Sequence, residues 1–160
     1  MKRLATIGVY GFDLDSFLAA LHDAEVGLVV DVRQRRGVRG AEYAWANAKR
    51  LEAALWDDAI AYMHAPELAP TTKLRELQYA EDARLGEGKR SRTVLAPAYA
   101  ERFTREILDE ANLDRVLEVM PADAATALLC VERDPEACHR SLVAAELAAV
   151  YALPVVHLRP

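Results

Sequence analysis

Hydrophobic residues occur along this chain in two arrangements. Short, nearly continuous apolar runs, such as residues 27–32, are typical of strands that are covered on both faces of a parallel sheet. Elsewhere apolar residues recur every three or four positions, as in a helix with one buried face, and the segment after Asp13 is the clearest example. The pattern predicts five strands, at residues 4–8, 27–32, 60–64, 126–131 and 154–158.

Helices are predicted between these strands. The first helix follows Asp13, and the others occupy residues 45–58, 73–84, 97 to about 112, 113–119 and 135–151. A polar loop is predicted at 85–92. This alternation favours the α/β class: a single domain over residues 1–160, with a mostly parallel, doubly wound sheet of about five strands and flanking helices. Right-handed crossovers bring the carboxyl ends of all strands to one edge of such a sheet, where ligands bind.

The net charge excludes a nucleic-acid-binding surface over the whole molecule. Twenty Lys and Arg residues are outnumbered by 25 Asp and Glu residues, which gives a formal net charge of −5. The charge is uneven, however, because residues 33–50 contain six basic residues and only one acid, Glu42. A local basic surface of this kind favours an anionic partner, either a small molecule or a nucleic acid.

No apolar stretch is long enough to form a signal peptide or a membrane-spanning helix. The chain is therefore expected to be cytoplasmic and to have no membrane partner. Its two cysteines, Cys130 and Cys138, are expected to be reduced in that compartment. The pattern indicates neither a cofactor nor an oligomeric state.

Polar residues gather where the predicted strands end. Asp31 and Arg33 end the second strand, His64 and Glu67 follow the third, and Glu132 follows the fourth. We expect them to meet in one pocket at the carboxyl edge of the sheet. The start of the last predicted helix adds four more candidate ligand-binding or catalytic residues: Cys138, His139, Arg140 and Ser141.

The segment around Cys138 supports two interpretations. Asp134 and Pro135 are typical of a helix start, which places Cys138 in or just after the first helical turn. Free amides and the helix dipole at such an end favour anions and lower the pKa of a thiol. In the functional interpretation Cys138 belongs to an anion pocket and is reactive. In the structural interpretation it is a buried thiol packed on the sheet.

The functional interpretation gives each candidate a role. Arg33 and Arg140 neutralise the bound anion, because a guanidinium group matches the geometry of phosphate and carboxylate. Cys138, His139 and Glu132 are the catalytic candidates, and the last two are available for proton transfer. Asp31, His64, Glu67 and Ser141 complete the ligand-binding set.

No metal site is predicted. Cys130 and Cys138 are eight positions apart, whereas compact zinc or redox pairs are separated by two intervening residues. Both thiols together with His139 or His64 would form a set of zinc ligands, but the spacing of these residues along the chain does not favour a zinc site. Cys130 is therefore expected to be an inert core residue at the end of a strand.

Four motifs occur in the order that is found in a known family: Thr6-Ile7-Gly8, Asp31-Val32-Arg33, His64-Ala65-Pro66-Glu67-Leu68, and Cys130-Val131-Glu132 through Cys138-His139-Arg140-Ser141. Together they resemble the family named domain of unknown function 488. The likeness covers nearly the whole chain, and its last segment is the most specific. The resemblance implies a compact α/β bacterial or archaeal protein with no settled activity. It favours a functional role for eight residues: Asp31, Arg33, Glu67, Cys130, Glu132, Cys138, His139 and Arg140.

Three functional hypotheses remain open, and whether the protein is an enzyme is not decided by the sequence. The first is an anion-binding site with catalytic groups, whose ligand is a phosphate, a nucleotide or a nucleic-acid derivative. The second is a non-catalytic module that binds nucleic acid or protein, with a structural Cys-His-Arg segment. The third is thiol chemistry such as sulfur transfer. Rhodaneses are similar in having Asp-Val-Arg at a strand end, but their compact Cys-loop-Arg cradle is missing, since Cys130 and Arg140 are ten positions apart.

Overall fold

Five parallel strands form the centre of the protein, in a computed structural model that describes all of residues 1–160. The order across the sheet is β3-β2-β4-β1-β5, and each adjacent pair is parallel. The predicted α/β class is confirmed, and each strand begins and ends within two residues of its expected bounds. The strands are β1 (Arg3–Ile7), β2 (Val26–Asp31), β3 (Ala61–His64), β4 (Ala125–Leu129) and β5 (Val155–Leu158).

Six α-helices flank the sheet. They are α1 (Leu14–Asp23), α2 (Ala48–Asp57), α3 (Thr72–Arg84), α4 (Pro97–Phe103), α5 (Leu113–Val119) and α6 (His139–Tyr151). A π-helical turn, Thr104–Leu108, extends α4, and short 3-10 helices occupy Ala41–Ala46, Pro66–Leu68 and Pro135–Ala137. None of the helices is both long enough and apolar enough to cross a membrane.

Two predicted helices are interrupted, and both interruptions lie beside the carboxyl edge. The predicted helix 45–58 is a 3-10 helix followed by α2, because Asn47 between them is extended (φ −66°, ψ 141°). The predicted helix 135–151 also begins with a 3-10 turn, and α6 starts only at His139. Cys138 therefore lies directly after the first, 3-10 turn, which is one of the two expected positions, and precedes α6 with an extended backbone (φ −140°, ψ 142°). Local helix propensity does not decide this position, because the Cys138 side chain is completely buried among tertiary neighbours.

A crevice opens between the carboxyl ends of β2 and β4. These strands are neighbours, but the chain continues from β2 to β3 at one side of the sheet and from β4 past β1 to β5 at the other. Right-handed crossovers then place the connecting helices of the two strands on opposite faces of the sheet, so the two loops diverge. Strands β1, β2 and β4 are buried on both faces, which holds the rim of the crevice on a rigid core.

Candidate functional site

The crevice contains a cavity of about 700 Å³. Its walls come from the loops after β1, β2 and β4, from α3, and from residues 88–92. Segments that are far apart in the chain therefore meet around one volume, at the edge where parallel sheets bind ligands. The segment 73–92, which follows β3, lines this edge as its position in the chain suggests.

The walls of this cavity are strongly cationic. Seven basic side chains line it, and Glu132 is the only carboxylate among the lining residues. The excess of cations attracts anions. The seven basic residues are Arg33, Arg35, Arg39, Arg75, Lys89, Arg90 and Arg92.

Arg33 forms a buried ion pair with Asp31. Its Nε and Nη2 donate to the two Asp31 carboxylate oxygens at 2.9 and 2.8 Å, and its Nη1 donates to the Ala46 carbonyl oxygen at 2.9 Å. Asp31 also accepts a 2.6 Å hydrogen bond from the Tyr62 hydroxyl. Burial raises the pKa of Tyr62 to about 12, so that this hydroxyl stays protonated and remains a donor. The charge of Arg33 therefore serves a buried ion pair that fixes the loop after β2.

Arg92 forms buried ion pairs on the opposite wall of the cavity. It is buried, and it donates to the carboxylates of Asp82 on α3 and Glu132 after β4. Its Nε donates to the Ala137 carbonyl oxygen at 3.1 Å. Gln78 extends this network, since its side chain donates to Asp82 at 2.8 Å and accepts from the Ala96 amide at 2.9 Å. Arg92 thus joins α3 to the loop between β4 and α6.

Two arginines at the rim are held by polar or aromatic neighbours. Arg75 donates to the Gln34 side chain at 2.7 Å and to the Tyr79 hydroxyl at 3.0 Å. Arg90 lies over the rings of Tyr10 and Tyr43, with its guanidinium carbon 5.1 and 5.5 Å from the two ring centroids. These contacts place aromatic faces and cations side by side at the entrance.

Three cations have no partner. The side chains of Arg35, Arg39 and Lys89 make no hydrogen bond and no ion pair, although all three line the cavity. Lys89 is half-buried, whereas the two arginines are exposed. Burial opposes the charge of Lys89, but attraction by Glu132 and Cys130 outweighs it and raises the pKa of the ammonium group. Lys89 is therefore a charged group that points into the cavity with its hydrogen-bonding capacity unused.

The floor of the cavity brings two thiols and an imidazole together. His139 Nδ1 lies 3.8 Å from Cys130 Sγ and 3.9 Å from Cys138 Sγ, and all three residues are buried. The other ring nitrogen, Nε2, lies 2.8 Å from the Val32 carbonyl oxygen. A carbonyl can only accept, so Nε2 carries the proton and, in the neutral ring, the Nδ1 lone pair faces the two sulfur atoms.

The environment shifts the pKa values of this group in different directions. Burial raises the pKa of Cys130 well above its usual range. Burial also opposes ionisation of Cys138, but the Cys130 hydrogen bond and the charges of Arg140 and His139 outweigh it and hold the pKa of Cys138 well below its usual range. Burial raises the pKa of Glu132, and the neighbouring Cys138 adds to this effect. Of the two thiols, Cys138 is the one whose charged neighbours, Arg140 and His139, favour the thiolate.

Comparison with known families identifies the chain. The family model described as Domain of unknown function DUF488 matches residues 13–147, which is most of the sequence. The chain belongs to the DUF488 family. Comparisons with curated proteins and with solved structures gave no match.

Five of the residues that sequence analysis proposed line the cavity of this DUF488 chain: Arg33, Cys130, Glu132, Cys138 and His139. Asp31 lies directly behind Arg33 as its ion-pair partner. His64, at the end of β3, lies with Nε2 2.9 Å from the Arg33 carbonyl oxygen and so fixes the same loop.

The other three proposed residues do not face the cavity. Arg140 is fully buried and donates to the carbonyl oxygens of Glu132 and Arg133 at 2.6 and 3.1 Å, which holds the loop after β4. Ser141 donates to the Cys138 carbonyl oxygen at 2.8 Å within the first turn of α6. Glu67 is exposed, and its nearest charged partner is Arg115 at 3.9 Å.

Sequence reasoning missed the groups that α3 and the following loop contribute. Lys89 and Arg92 lie in a segment that shows only a polar, glycine-containing pattern, and Gln78 occupies an ordinary helix position. The available signal was the position of this segment after β3, which leads to the same edge of the sheet. Nothing in the local sequence distinguishes the partner-free Lys89 from the buried Arg92.

Proposed function

We propose that this cavity binds a phosphorylated ligand of about the size of a nucleotide and exposes it to catalytic groups at the floor. The observation that carries the proposal is the set of partner-free cations that line the cavity: Lys89, Arg35 and Arg39. Partner-free cations around a cavity with a single carboxylate are the arrangement expected for an anionic ligand.

The size and the lining of the cavity support a nucleotide rather than a small inorganic anion. A volume of about 700 Å³ lies within the range of small-molecule sites. Tyr10 and Tyr79 line it next to Arg90 and Arg75, and such aromatic faces can stack on a base. The phosphate groups would then lie toward Lys89, on the side of the cavity that holds Glu132.

The floor supplies the catalytic part of the proposal. Glu132 and His139 face the same volume and can transfer protons, while Cys138 lies beside them. Glu132 is oriented by Arg92, whose Nη2 donates to Oε1 at 2.9 Å, and His139 is oriented by the Val32 carbonyl group. Groups that are fixed in this way meet the requirement for acid–base catalysis, which depends on geometry before pKa.

Isothermal titration calorimetry with pyrophosphate and with adenosine mono-, di- and triphosphate tests the binding. Lys89→Met should weaken the best-binding compound about tenfold, as expected for the loss of one charge-assisted hydrogen bond. Arg35→Gln and Arg39→Gln should each weaken it by a smaller factor, because these exposed groups are better screened by solvent. Arg105→Gln is the matched control, since Arg105 is an exposed arginine outside the cavity.

Two results would contradict the proposal. One is the absence of heat for every phosphate compound at low salt. The other is an equal loss of affinity for the best-binding compound in Lys89→Met and in Arg105→Gln. A binding module for nucleic acid would differ in a third respect: a single-stranded oligonucleotide would bind more tightly than any mononucleotide, with a steep loss of affinity as salt rises.

A further inference from the structure

Apart from Glu132 beside Cys130 and the Val32 carbonyl group beside His139, the thiols and the imidazole at the floor have only one another as hydrogen-bonding neighbours. His139 is buried, and its Nδ1 lone pair has only the two sulfur atoms of Cys130 and Cys138 as neighbours, at 3.8 and 3.9 Å. A buried imidazole acceptor normally has a close hydrogen-bond donor, and thiols at this distance are weak ones. An electrophile such as a metal ion between the three atoms would satisfy all of them at once.

We infer that Cys130, Cys138 and His139 form a binding site for a zinc ion. The three ligand atoms, two Sγ and one Nδ1, all lie within 4.8 Å of one another. In a tetrahedral zinc site with ordinary bond lengths, sulfur and nitrogen lie about 3.6 Å apart, and two sulfur atoms about 3.8 Å. The observed separations of 3.8 and 3.9 Å between nitrogen and sulfur need to contract by a few tenths of an ångström, and the separation of the two sulfur atoms, which is at most 4.8 Å, by at most about 1 Å.

The surroundings of the three ligands match those of metal sites. Metal-bound histidines usually donate their other ring nitrogen to a carbonyl or carboxylate, and Nε2 of His139 does so with the Val32 carbonyl oxygen. The Phe103 ring, with its centroid 5.3 Å from that of the imidazole, packs against it. Two thiolates neutralise the charge of the metal ion, and the remaining carboxylate, Glu132, is compensated by Arg92.

The fourth coordination position faces the cavity. Cys130, Cys138, His139 and Glu132 all line the same volume, and a carboxylate oxygen of Glu132 lies 3.4 Å from Cys130 Sγ. Three protein ligands with an open position are typical of catalytic zinc sites, whereas structural sites are closed by four. A water molecule in the open position would lie beside Glu132, where the carboxylate could accept its proton, so the site suits hydrolysis. This inference does not depend on the phosphorylated ligand proposed above, but with zinc bound His139 is a metal ligand and proton transfer falls to Glu132 alone.

The test uses the full chain, stripped of metal and reduced without oxygen until two free thiols per chain are counted. Titration with Co²⁺ should reach one equivalent and give the ligand-field bands of a tetrahedral ion together with a thiolate-to-metal charge-transfer band. Zn²⁺ should displace the cobalt at one equivalent. Bound zinc should also slow the alkylation of both cysteines by iodoacetamide by more than tenfold, because coordinated thiolates are withheld from the reagent.

Variants separate this site from adventitious binding. Cys138→Ser and His139→Asn should each weaken zinc binding more than tenfold, whereas His22→Gln, which changes an exposed histidine on α1, should not. Should these variants fail to fold, the cobalt spectrum and the alkylation rate of the wild-type chain decide the matter. Absence of metal binding by the fully reduced chain overturns the inference, as does binding without a charge-transfer band. In that case rapid alkylation of Cys138 alone would favour thiol chemistry instead. Phosphate binding, measured by calorimetry on the metal-free chain, succeeds or fails separately.

Discussion

Gly8 lies at the carboxyl edge of the sheet, where the end of β1 packs closely against the loop after β4. A Cβ atom at this position would lie 2.0 Å from the Glu132 carbonyl oxygen and 3.3 Å from Arg140 Nη2. That carbonyl oxygen accepts the 2.6 Å hydrogen bond from Arg140, and the preceding carbonyl, of Val131, accepts from the amides of residues 9 and 10. The absence of a side chain at Gly8 lets the end of β1 close against the loop that carries Glu132.

Gly8→Ala should therefore lower the free energy of unfolding by about 3 kcal/mol, the upper end of the usual cost of overpacking, because a backbone atom rather than a flexible side chain blocks the methyl group. Urea denaturation followed by circular dichroism measures this. Gly88→Ala is the matched control, since nothing lies within 4 Å of a Cβ at Gly88. Equal stability of the two variants would show that the loop after β4 does not approach β1 as described.

The buried Arg92 decides how α3 joins the rest of the site. A regular helix would dock through apolar contacts, but α3 also carries the buried polar residues Gln78 and Asp82. Both belong to the network that ends at Glu132, so the helix is positioned partly by ionic hydrogen bonds. Such networks contribute little net stability when complete, but they are costly to break.

Arg92→Met should destabilise the protein by about 3–5 kcal/mol, because it leaves the buried carboxylate of Asp82 without a cation and removes the ion pair with Glu132. Guanidinium denaturation gives the magnitude. Arg105→Met is the control, since its side chain is 62% exposed and its pair with Glu101 is a surface contact. The double variant Arg92→Met with Asp82→Asn should recover part of the loss, and failure to recover any would argue against the network.

At the scale of the whole molecule, the cavity is closed by a segment with little regular structure. Residues 85–92 contain turns rather than a helix or strand, and their link to the opposite wall is Arg90, whose Nη2 donates to the Arg39 carbonyl oxygen at 3.0 Å. The same segment carries Lys89. The backbone hydrogen bonds of this loop are all local, to residues 81–88, and none joins it to the sheet, so the loop is expected to open more readily than the sheet beneath it.

Hydrogen exchange followed by mass spectrometry tests this expectation. Amides of residues 85–92 should exchange faster than those of β4, and saturating pyrophosphate should slow them, because the ligand would connect Lys89 to the arginines on the opposite wall. Lys89→Met should remove the slowing while leaving the exchange of β4 unchanged. Protection by pyrophosphate elsewhere but not in this segment would place the anion outside the cavity.

The sequence by itself determined the architecture and the edge at which the site lies. Continuous apolar runs are a local property of buried parallel strands, so β1, β2 and β4 could be located, and the alternation with helices then implied the shared carboxyl edge. The polar residues at the strand ends were found for the same reason. Glu132, Cys138 and His139 thus entered the candidate site before any tertiary contact was known.

Only the tertiary structure decided what each of these residues does. His139 meets Val32 across 107 positions, and Arg92 meets Glu132 across 40, so no local pattern could record either contact. Two arginines play different roles because their burial and their partners differ. Arg140 is buried and donates to backbone carbonyl groups, whereas Arg35 is exposed, lines the cavity and has no partner. Two cysteines that are too far apart in sequence to form a compact pair converge on one imidazole because one follows β4 and the other precedes α6. Spacing along the chain measures proximity only within an element, and this site is assembled between elements.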